Sequence, residues 1–582
     1  MIRAPELALL CGVAWAMPSA VVRGQTAEGA RGSASRPDSV VMAPESVDAA
    51  WVAVAPAALA TDVVPLAEHR RRRGLTAAVV AWEAVLADHP AESREESLQR
   101  FLQKAGARGA ARFVLLVGDG RTIPGRNGPS FFGRPCFTDQ FFVCDDADTL
   151  PDRAIGRIPT SDADSVRRIV KRTIEYELDD KPAGWRRRVS FLAADGGFGP
   201  ALDTVLESAV AGILDRGLPP ELDLRVLRSN AKSSFGVPAS HEKKSILELW
   251  GSGALIGLYA GHGSRHGLHT AQESGGTRPI FTTADASKLE IRRGAPFLVF
   301  FACHTGDFRP TGREPQDPMD EGLSTADRLP SCFAASVLEA PQGAVAALGA
   351  SQISHPYVDL LLAHELCGLF RQNPRLPVGE LIREAKGRVY RGGGKFRENA
   401  DRVAKTFGVS EPDQKRLVDY QMALYNLMGD PALVLQRPEL DLKLEVARGA
   451  EPKGGEEIEV KITIPSDRAA SLEGASVIVA LEQGRASAPL RSGFPQSSDR
   501  TLDRTTVELH GGSASALLRY PPTLTARRFV IIADLRAGEI QGIAASVLPP
   551  APAGAEIDDP GTVPVPDSLP SSQEGSASRP GR

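Results

Sequence analysis

Between about residues 46 and 437, short apolar runs alternate with amphipathic stretches. Runs such as AWVAVAP, ARFVLLVGD, ALIGLYA and APFLVFFA are apolar throughout, which is typical of strands buried on both faces of a parallel sheet. The stretches between them, such as SREESLQRFLQKAGARG and DADSVRRIVKRTIEYE, have the spacing of helices. This alternation predicts an α/β fold. We interpret it as two parallel-sheet lobes in tandem, 46–185 and 186–437, with a helical stretch over 357–426 and a last strand at 431–436.

The hydrophobic pattern changes after Leu440. Short alternating runs such as EIEVKITIP and RRFVIIADLR are separated by Gly, Pro and Ser. They predict a β-sandwich of the immunoglobulin-like kind over residues 438–549. Residues 550–582 are rich in Pro, Ser, Gly and Asp, a composition that predicts a disordered tail.

The first 24 residues have the pattern of a secretory signal peptide. Arg3 precedes an apolar stretch from Leu7 to Met17, and small residues follow, although Glu6 is atypical of such a segment. Residues 25–45 have the composition of a linker. No other apolar run is long enough to cross a bilayer. We therefore expect a secreted or cell-envelope protein, periplasmic or on the outer surface, without a transmembrane span once the signal is removed.

Charge and cysteine content limit the kinds of partner and of cross-link that we expect. The formal net charge is -4 and 24% of the residues are charged, so no strongly basic face is indicated and nucleic acid is not an expected partner. The six cysteines do not have the density of a disulfide framework. Cys136 and Cys144 are close enough in sequence to pair across a loop, and the sequence leaves that pairing open.

Two of the predicted strands end in similar ways. ALIGLYA leads into GHGSRHG, which contains His262, and APFLVFFA leads into Cys303. Because the carboxyl ends of parallel strands lie along one edge of a sheet, the imidazole and the thiol converge if the two strands are neighbours. A thiol needs such a base or positive charge to become a nucleophile. Gly261 and Gly263 allow the backbone to approach a substrate, and the Gly263 amide is a candidate oxyanion donor.

Each residue alone also has a structural explanation. A cysteine after a buried strand is usually a small apolar core residue, and a histidine between glycines is often a turn residue. A metal site is a further alternative, because His262, His266 and His269 form H-x3-H-x2-H and Cys303 would add a thiolate. The glycines around these histidines disfavour a helix and no carboxylate accompanies them, so we do not predict a metal site.

An acidic loop is the one candidate for calcium. Asp145, Asp146, Asp148 and Asp152 supply oxygen ligands of the kind that calcium prefers. Such runs are more often solvated turns, and no site is predicted there.

YAGHGS (259–264) followed by FFACHTGDF (300–308) resembles the gingipain family of cysteine peptidases, which have a caspase-like fold. Six further segments resemble that family in the same order: FVLLVGDGRTIP, TDQFF, IGRIP, FLAADGG, CFAASVLEAPQGAVAALGAS and NLMGDPALVL. The likeness covers about residues 46–437. It implies a cysteine endopeptidase that acts on proteins or peptides, cleaves after Arg or Lys and requires no cofactor. The stretch 310–330 resembles an inserted loop beside the nucleophile.

The resemblance also implies roles for individual residues. Cys303 matches the nucleophile and His262 the catalytic histidine, with the Gly263 and Cys303 amides as oxyanion donors. Asp195 matches an acidic residue near the histidine that would orient the imidazole, and its alternative is a cap at the end of a strand. Asp203 matches a carboxylate that binds a basic substrate side chain, and its alternative is an exposed acid in the first turn of a helix.

A function from another class remains open. A binding or secretion-associated scaffold could use the same fold without catalysis. The presence of both Cys303 and His262 argues against it, and selective labelling of Cys303 by a thiol-reactive probe would separate the two.

Overall fold

The computed structural model describes residues 41–107, 111–145, 149–230, 236–310, 318–320, 323–446, 455–484, 500–521 and 529–548. The predicted signal peptide, most of the predicted linker and the predicted tail lie outside these residues. Within the described ranges, no helix is both long and apolar enough to span a membrane.

An α/β part extends to about residue 436. Its strands are β1 (Trp51–Ala55), β2 (Ala77–Ala81), β3 (Phe113–Val117), β4 (Arg126–Ser130), β5 (Pro135–Thr138), β6 (Ala154–Ile158), β7 (Arg188–Ala193), β8 (Asp223–Arg228), β9 (Ile256–Ala260), β10 (His262–Ser264), β11 (Gly267–Ala271), β12 (Thr277–Thr282), β13 (Phe297–Phe301), β14 (Ala346–Ala350) and β15 (Tyr425–Met428). Its helices are α1 (Ala57–Arg72), α2 (Trp82–Asp88), α3 (Arg94–Ala107), α4 (Ala163–Leu178), α5 (Pro200–Gly212), α6 (Glu242–Gly251), α7 (Thr283–Ala286), α8 (Phe333–Glu339), α9 (Pro356–Gln372), α10 (Val378–Arg391), α11 (Gly394–Thr406) and α12 (Glu411–Leu424).

Among the described residues, ten strands form one continuous sheet in the order β2-β1-β3-β6-β15-β14-β13-β9-β7-β8. The five strands from β2 to β15 are parallel to one another, and so are the five from β14 to β8. The two halves meet at β14 and β15, which pair antiparallel. The parallel arrangement predicted from the sequence is therefore confirmed, but the two predicted lobes share a single sheet.

Burial explains why the central strands are apolar throughout. All five residues of β1, β3 and β14 are buried, because helices cover both faces of the sheet. One large apolar core extends through both halves, and a smaller core lies on the other face of the first half. This rigid frame fixes the carboxyl edges of β9, β13 and β14, from which the candidate site is built.

The strand predicted at 431–436 is wrong. The last strand of the sheet is β15, and the chain from Asp430 to Gln436 is irregular although its apolar side chains are buried. Pro431 has no amide hydrogen, and the amides of Ala432 and Val434 donate to the carboxylates of Asp430 and Glu177. Buried side chains thus replace a neighbouring strand as hydrogen-bond partners.

The chain after residue 439 forms an all-β part, as the alternating pattern predicts. Its strands are β16 (Leu440–Asp441), β17 (Lys443–Val446), β18 (Glu457–Thr463), β19 (Ser476–Gln483), β20 (Thr501–Glu508), β21 (Ser513–Arg519), β22 (Phe529–Ala537) and β23 (Ile540–Val547). They make a five-stranded and a three-stranded sheet whose inner residues share one core. The immunoglobulin-like classification of this part stays a prediction. Gln541 joins it to the α/β part, because its amide pairs with the backbone of Ala183.

Candidate active site

The strands before His262 and Cys303 are neighbours. β9 and β13 run parallel, and their last residues, Ala260 and Phe301, are directly aligned. His262 and Cys303 each follow two residues later, and both line one cleft of about 1210 Å³ at this edge of the sheet. The structure therefore brings together the two side chains that the sequence places at separate strand ends.

A tight turn follows Cys303. His304 has φ 57°, the one positive φ of a non-glycine residue in the described ranges, and its amide donates to Gln352 O at 3.1 Å. Such strained backbone is found disproportionately at functional sites. The partly exposed thiol lies against Ser354, whose backbone amide donates to the sulfur at 3.3 Å. The other described cysteines are buried thiols, so the pairing of Cys136 with Cys144 is not observed among them.

A backbone carbonyl holds the His262 imidazole. Nε2 lies 2.6 Å from Gly196 O. Because a carbonyl oxygen only accepts hydrogen bonds, Nε2 carries the hydrogen, and Nδ1 holds the lone pair of the neutral ring. Phe198 packs beside the imidazole with 5.5 Å between ring centroids and is itself 47% exposed. The arrangement fixes both the tautomer and the orientation of the ring.

Asp195 directly precedes that carbonyl. Its carboxylate accepts from Asn230 Nδ2 at 2.8 Å and lies 3.7 Å from Arg228. The described contact to the imidazole thus comes from Gly196, one residue on, and a role for Asp195 stays a prediction.

Asp203 lies in the first turn of α5 and lines the cleft. It accepts from the Phe198 amide at 3.2 Å, so it also fixes the loop that carries Phe198. Six of the residues that line the cleft are apolar residues of β7, β8, α5, α9 and the turn after α5: Phe191, Leu224, Val226, Val210, Leu214 and Leu360.

Gly263 brings two backbones into contact. A Cβ atom at this position would lie 2.8 Å from Cys303 O and 2.9 Å from the Ala302 side chain. Only a residue without a side chain allows this approach. Gly263 and Cys303 are therefore adjacent, and the role of their amides as oxyanion donors stays a prediction.

The three histidines of the metal alternative lie on the hairpin formed by β10 and β11 and on its turn. His262 and His269 are cross-strand partners on β10 and β11, and the buried His269 ring contacts the Ser264 hydroxyl at 3.0 Å. Burial lowers the pKa of His269 to about 4. Within the described ranges, no group of three or more His, Cys, Asp or Glu side chains is placed to hold a metal ion. Asp146 and Asp148 of the calcium candidate lie outside those ranges.

Four features of the cleft were not predicted from the sequence. The Gly196 carbonyl has no signature in a sequence, since any residue supplies one. Phe132, at the tip of the hairpin formed by β4 and β5, and Met319, in the described part of the inserted loop, line the same cleft. Ser354 follows β14, the next parallel strand, so the strand-end argument used for Cys303 could have found it.

The chain is similar to a known protein family and to solved structures. The sequence model of peptidase family C25 matches residues 45–436. No curated protein matches the chain. The complex of Porphyromonas gingivalis RgpB pro- and mature domains is 16% identical, over 85% of this chain and 99% of that chain, with a TM-score of 0.48. The Arg-specific cysteine proteinase gingipain R (RGPB) is 17% identical, over 86% and 97%, with a TM-score of 0.48. A further protease structure is 15% identical, over 86% and 97%, with a TM-score of 0.49.

Proposed function

This chain belongs to peptidase family C25, the gingipain family of cysteine peptidases, and we propose that Cys303 is its nucleophile and His262 its general acid and base. One observation carries the proposal. The aligned ends of β9 and β13 deliver a partly exposed thiol and an imidazole of fixed tautomer to the same cleft.

The chemistry follows from those groups. The Cys303 thiolate attacks the scissile carbonyl carbon, a C–S bond forms, and the carbonyl oxygen becomes an oxyanion that the Gly263 and Cys303 amides stabilise. His262 takes the proton of the Cys303 thiol on Nδ1 when the thiolate forms, and it donates this proton to the departing amine as the C–N bond breaks and the carbonyl re-forms. Water, deprotonated by His262, hydrolyses the resulting thioester and releases the second product. Each step uses side chains or backbone of this chain, so the chemistry requires no cofactor.

Asp195 supports the imidazole in this proposal. Its carboxylate accepts a hydrogen bond from Asn230, and the next residue, Gly196, receives the imidazole N–H. A negative charge at this position would favour the charged imidazole that forms during proton transfer. Asp195→Asn is expected to lower kcat more than it changes KM, and an unchanged kcat would contradict this role.

Two inhibitors distinguish a mechanism that uses the Cys303 thiol from one that uses a metal ion. Hydrolysis of casein by the full-length protein is expected to stop when iodoacetamide modifies Cys303 and to continue in the presence of a chelator. Cys367→Ala, which removes a buried thiol of α9, is the matched control and should hydrolyse casein and be inactivated like the wild type. Inactivation by the chelator, or full activity with alkylated Cys303, would overturn the proposal.

We further propose cleavage after Arg or Lys, with Asp203 as the recognition carboxylate. The apolar walls of the cleft suit the aliphatic stem of a long basic side chain, whose charge would then meet Asp203. Asp203→Asn should lower kcat/KM for substrates with Arg at the cleavage site by roughly tenfold to a hundredfold, the effect of a lost charge-assisted hydrogen bond. Substrates with Leu there should change little. Asp413→Asn, a first-turn acid of α12, is the control. Equal losses for both substrates would contradict the assignment.

The N-terminal pattern supports export to the cell envelope or the medium. Fractionation of the producing cells tests this, and enzyme confined to the cytoplasm would contradict it.

A further inference from the structure

The segment 351–355 forms a third wall beside the thiol, opposite the β9 edge. It follows β14, which pairs with β13, so its backbone passes close to Cys303. Besides receiving the Ser354 amide at 3.3 Å, the thiol donates a longer hydrogen bond to Ser354 O at 3.8 Å, and the sulfur lies 3.9 Å from Ser354 Oγ. These contacts are made by a residue to which the family comparison gives no role.

The peptide unit between Ile353 and Ser354 is held at both ends. Its carbonyl accepts from the Tyr420 hydroxyl at 2.9 Å, and its N–H donates to the Cys303 sulfur. Tyr420 is fully buried, and burial raises the pKa of its hydroxyl, which keeps it a donor across the physiological range. Hydrogen bonding at the carbonyl polarises the peptide group and strengthens its N–H as a donor.

The backbone of His355, the residue after Ser354, is held by Gln421, which follows Tyr420 in α12. The Gln421 side chain accepts from the His355 amide at 3.1 Å and donates to the His355 carbonyl at 3.2 Å. Its amide nitrogen also donates to Asp359 at 2.5 Å, and Asp359 receives the Tyr425 hydroxyl at 2.6 Å. Ser354 therefore lies between two clamped peptide units, with little freedom to turn its N–H away from the sulfur.

We infer that Tyr420 and Gln421 are positioning residues that aim the Ser354 amide at the Cys303 sulfur and stabilise the thiolate before substrate binds. The inference rests on Cys303 being the nucleophile of the proposed function. An N–H aimed at sulfur favours the thiolate over the thiol, because it is worth more to the charged form.

Other titratable groups also face this thiol from the elements packed around it. They are Tyr259 of β9, His262 of β10, His304 and Asp307 of the turn after the nucleophile, Asp359 of α9, Tyr420 of α12 and Tyr425 of β15. The test must therefore change the amide's support and leave these charges in place. Tyr420→Phe does so, since it neither removes nor adds a charge at neutral pH. Gln421→Ala also takes a hydrogen bond from Asp359, whose pKa burial raises to about 7, so it makes that carboxyl less charged. A less charged Asp359 favours the thiolate, so a midpoint that moves to higher pH cannot come from this effect.

The test is the pH profile of Cys303 alkylation in the full-length protein without substrate. Iodoacetamide modification of the Cys303 peptide is followed by mass spectrometry from pH 5 to pH 10. The midpoint of the profile reports thiolate stability, whereas its plateau at high pH reports access to the sulfur and the reactivity of the formed thiolate. Tyr420→Phe and Gln421→Ala should each move the midpoint to higher pH and raise the plateau roughly threefold for a tenfold loss of thiolate, whereas a variant that only blocked access would lower the plateau. Below the midpoint, a tenfold loss of thiolate would slow alkylation only roughly threefold, because a more basic sulfur is a better nucleophile.

Two control variants remove a buried hydroxyl and a buried side-chain amide that have no described contact with residues 351–355. Tyr176→Phe deletes a buried hydroxyl that accepts from the Gln436 amide. Gln414→Ala deletes a buried amide of α12 that donates to two backbone carbonyls. Both should reproduce the wild-type profile. An unmoved midpoint in folded Tyr420→Phe, or equal shifts in the controls, would overturn the inference even if the wild type cleaves peptides. Absence of cleavage by a wild type whose thiol titrates as described would instead count against the proposed function.

Discussion

Gly263 stands where the backbone after β9 passes closest to the nucleophile. Gly263→Ala would place a methyl group within 3 Å of Cys303 O and Ala302. We expect the two strand ends to separate, with kcat falling at least tenfold and the free energy of unfolding falling by about 1–3 kcal/mol, the usual cost of overpacking. Casein hydrolysis and urea denaturation measure the two effects.

Gly368, inside α9, is the matched control for Gly263. No atom lies within 4 Å of a Cβ built there, so Gly368→Ala should keep full activity and stabilise the protein by about 0.5–1 kcal/mol. Unchanged kcat in Gly263→Ala would contradict the close approach described for the site.

At the scale of single residues, the sequence shows which side chains are candidates for catalysis better than it shows what those side chains contact. Cys303 and His262 could be selected because they follow apolar runs whose strand character is plain. The partner of the imidazole could not, because Gly196 contributes a carbonyl, which every residue has. Tyr420 and Gln421 lie more than a hundred residues beyond Cys303, and only the fold brings them to it.

At the scale of elements, Lys386 ties α10 to β15. Its buried ammonium nitrogen donates to Gln140 Oε1 and Tyr425 O, both at 2.7 Å. Burial lowers the pKa of Lys386 to about 7, below the value in an unfolded chain. The unfolded state therefore binds more protons above pH 7, and this lysine makes the protein more stable as pH rises through that range.

Lys386→Met should remove that dependence. Between pH 7 and pH 9 the wild type should gain about 2 kcal/mol in free energy of unfolding relative to the variant. Lys405→Met, at an exposed position of α11, is the control and should follow the wild type. Urea denaturation at each pH gives the values, and parallel curves for wild type and Lys386→Met would show that the buried lysine does not titrate as described.

Helices and strands were predictable from the sequence where the hydrophobic pattern of a segment matched the way its backbone is hydrogen-bonded in the fold. The apolar runs of β1, β3 and β13 and the long helices α3 and α4 were predicted correctly, whereas the short helices α2 and α7 were not predicted. PALVLQ has the same apolar character but is irregular, since Pro431 and the carboxylates of Asp430 and Glu177 satisfy its backbone differently. No hairpin was predicted at β10 and β11, because their strands are short and contain glycines.

At the scale of the whole molecule, a buried charge cluster joins segments far apart in sequence. Asp430 binds Trp51 Nε1 at 2.9 Å and Arg70 at 2.7 Å, and Arg70 also binds Glu177 at 2.6 Å. The cluster fastens the last turn of the α/β part to its first helix and strand. The alternation of apolar and amphipathic runs, from which two lobes were predicted, gives no indication of a contact between residues so far apart in sequence.

Asp430→Ala should therefore destabilise the entire α/β part. Removing one partner of a buried ion pair costs about 3–5 kcal/mol, because the remaining charge is left uncompensated. Asp467→Ala, at an exposed acid of the all-β part, is the control and should change little. Denaturation followed by tryptophan fluorescence measures both. A loss for Asp430→Ala no larger than that of the control would mean that the cluster does not stabilise the packing of the segment after β15 against α1 and β1.

The central claim, that Cys303 is the nucleophile of a peptidase, is tested most directly by cleavage of a mixed fluorogenic peptide library. Full-length wild type and Cys303→Ala are compared at equal concentration. The account predicts cleavage by the wild type, enriched after Arg and Lys, and cleavage at background level by Cys303→Ala. Equal cleavage by the two proteins would contradict the claim.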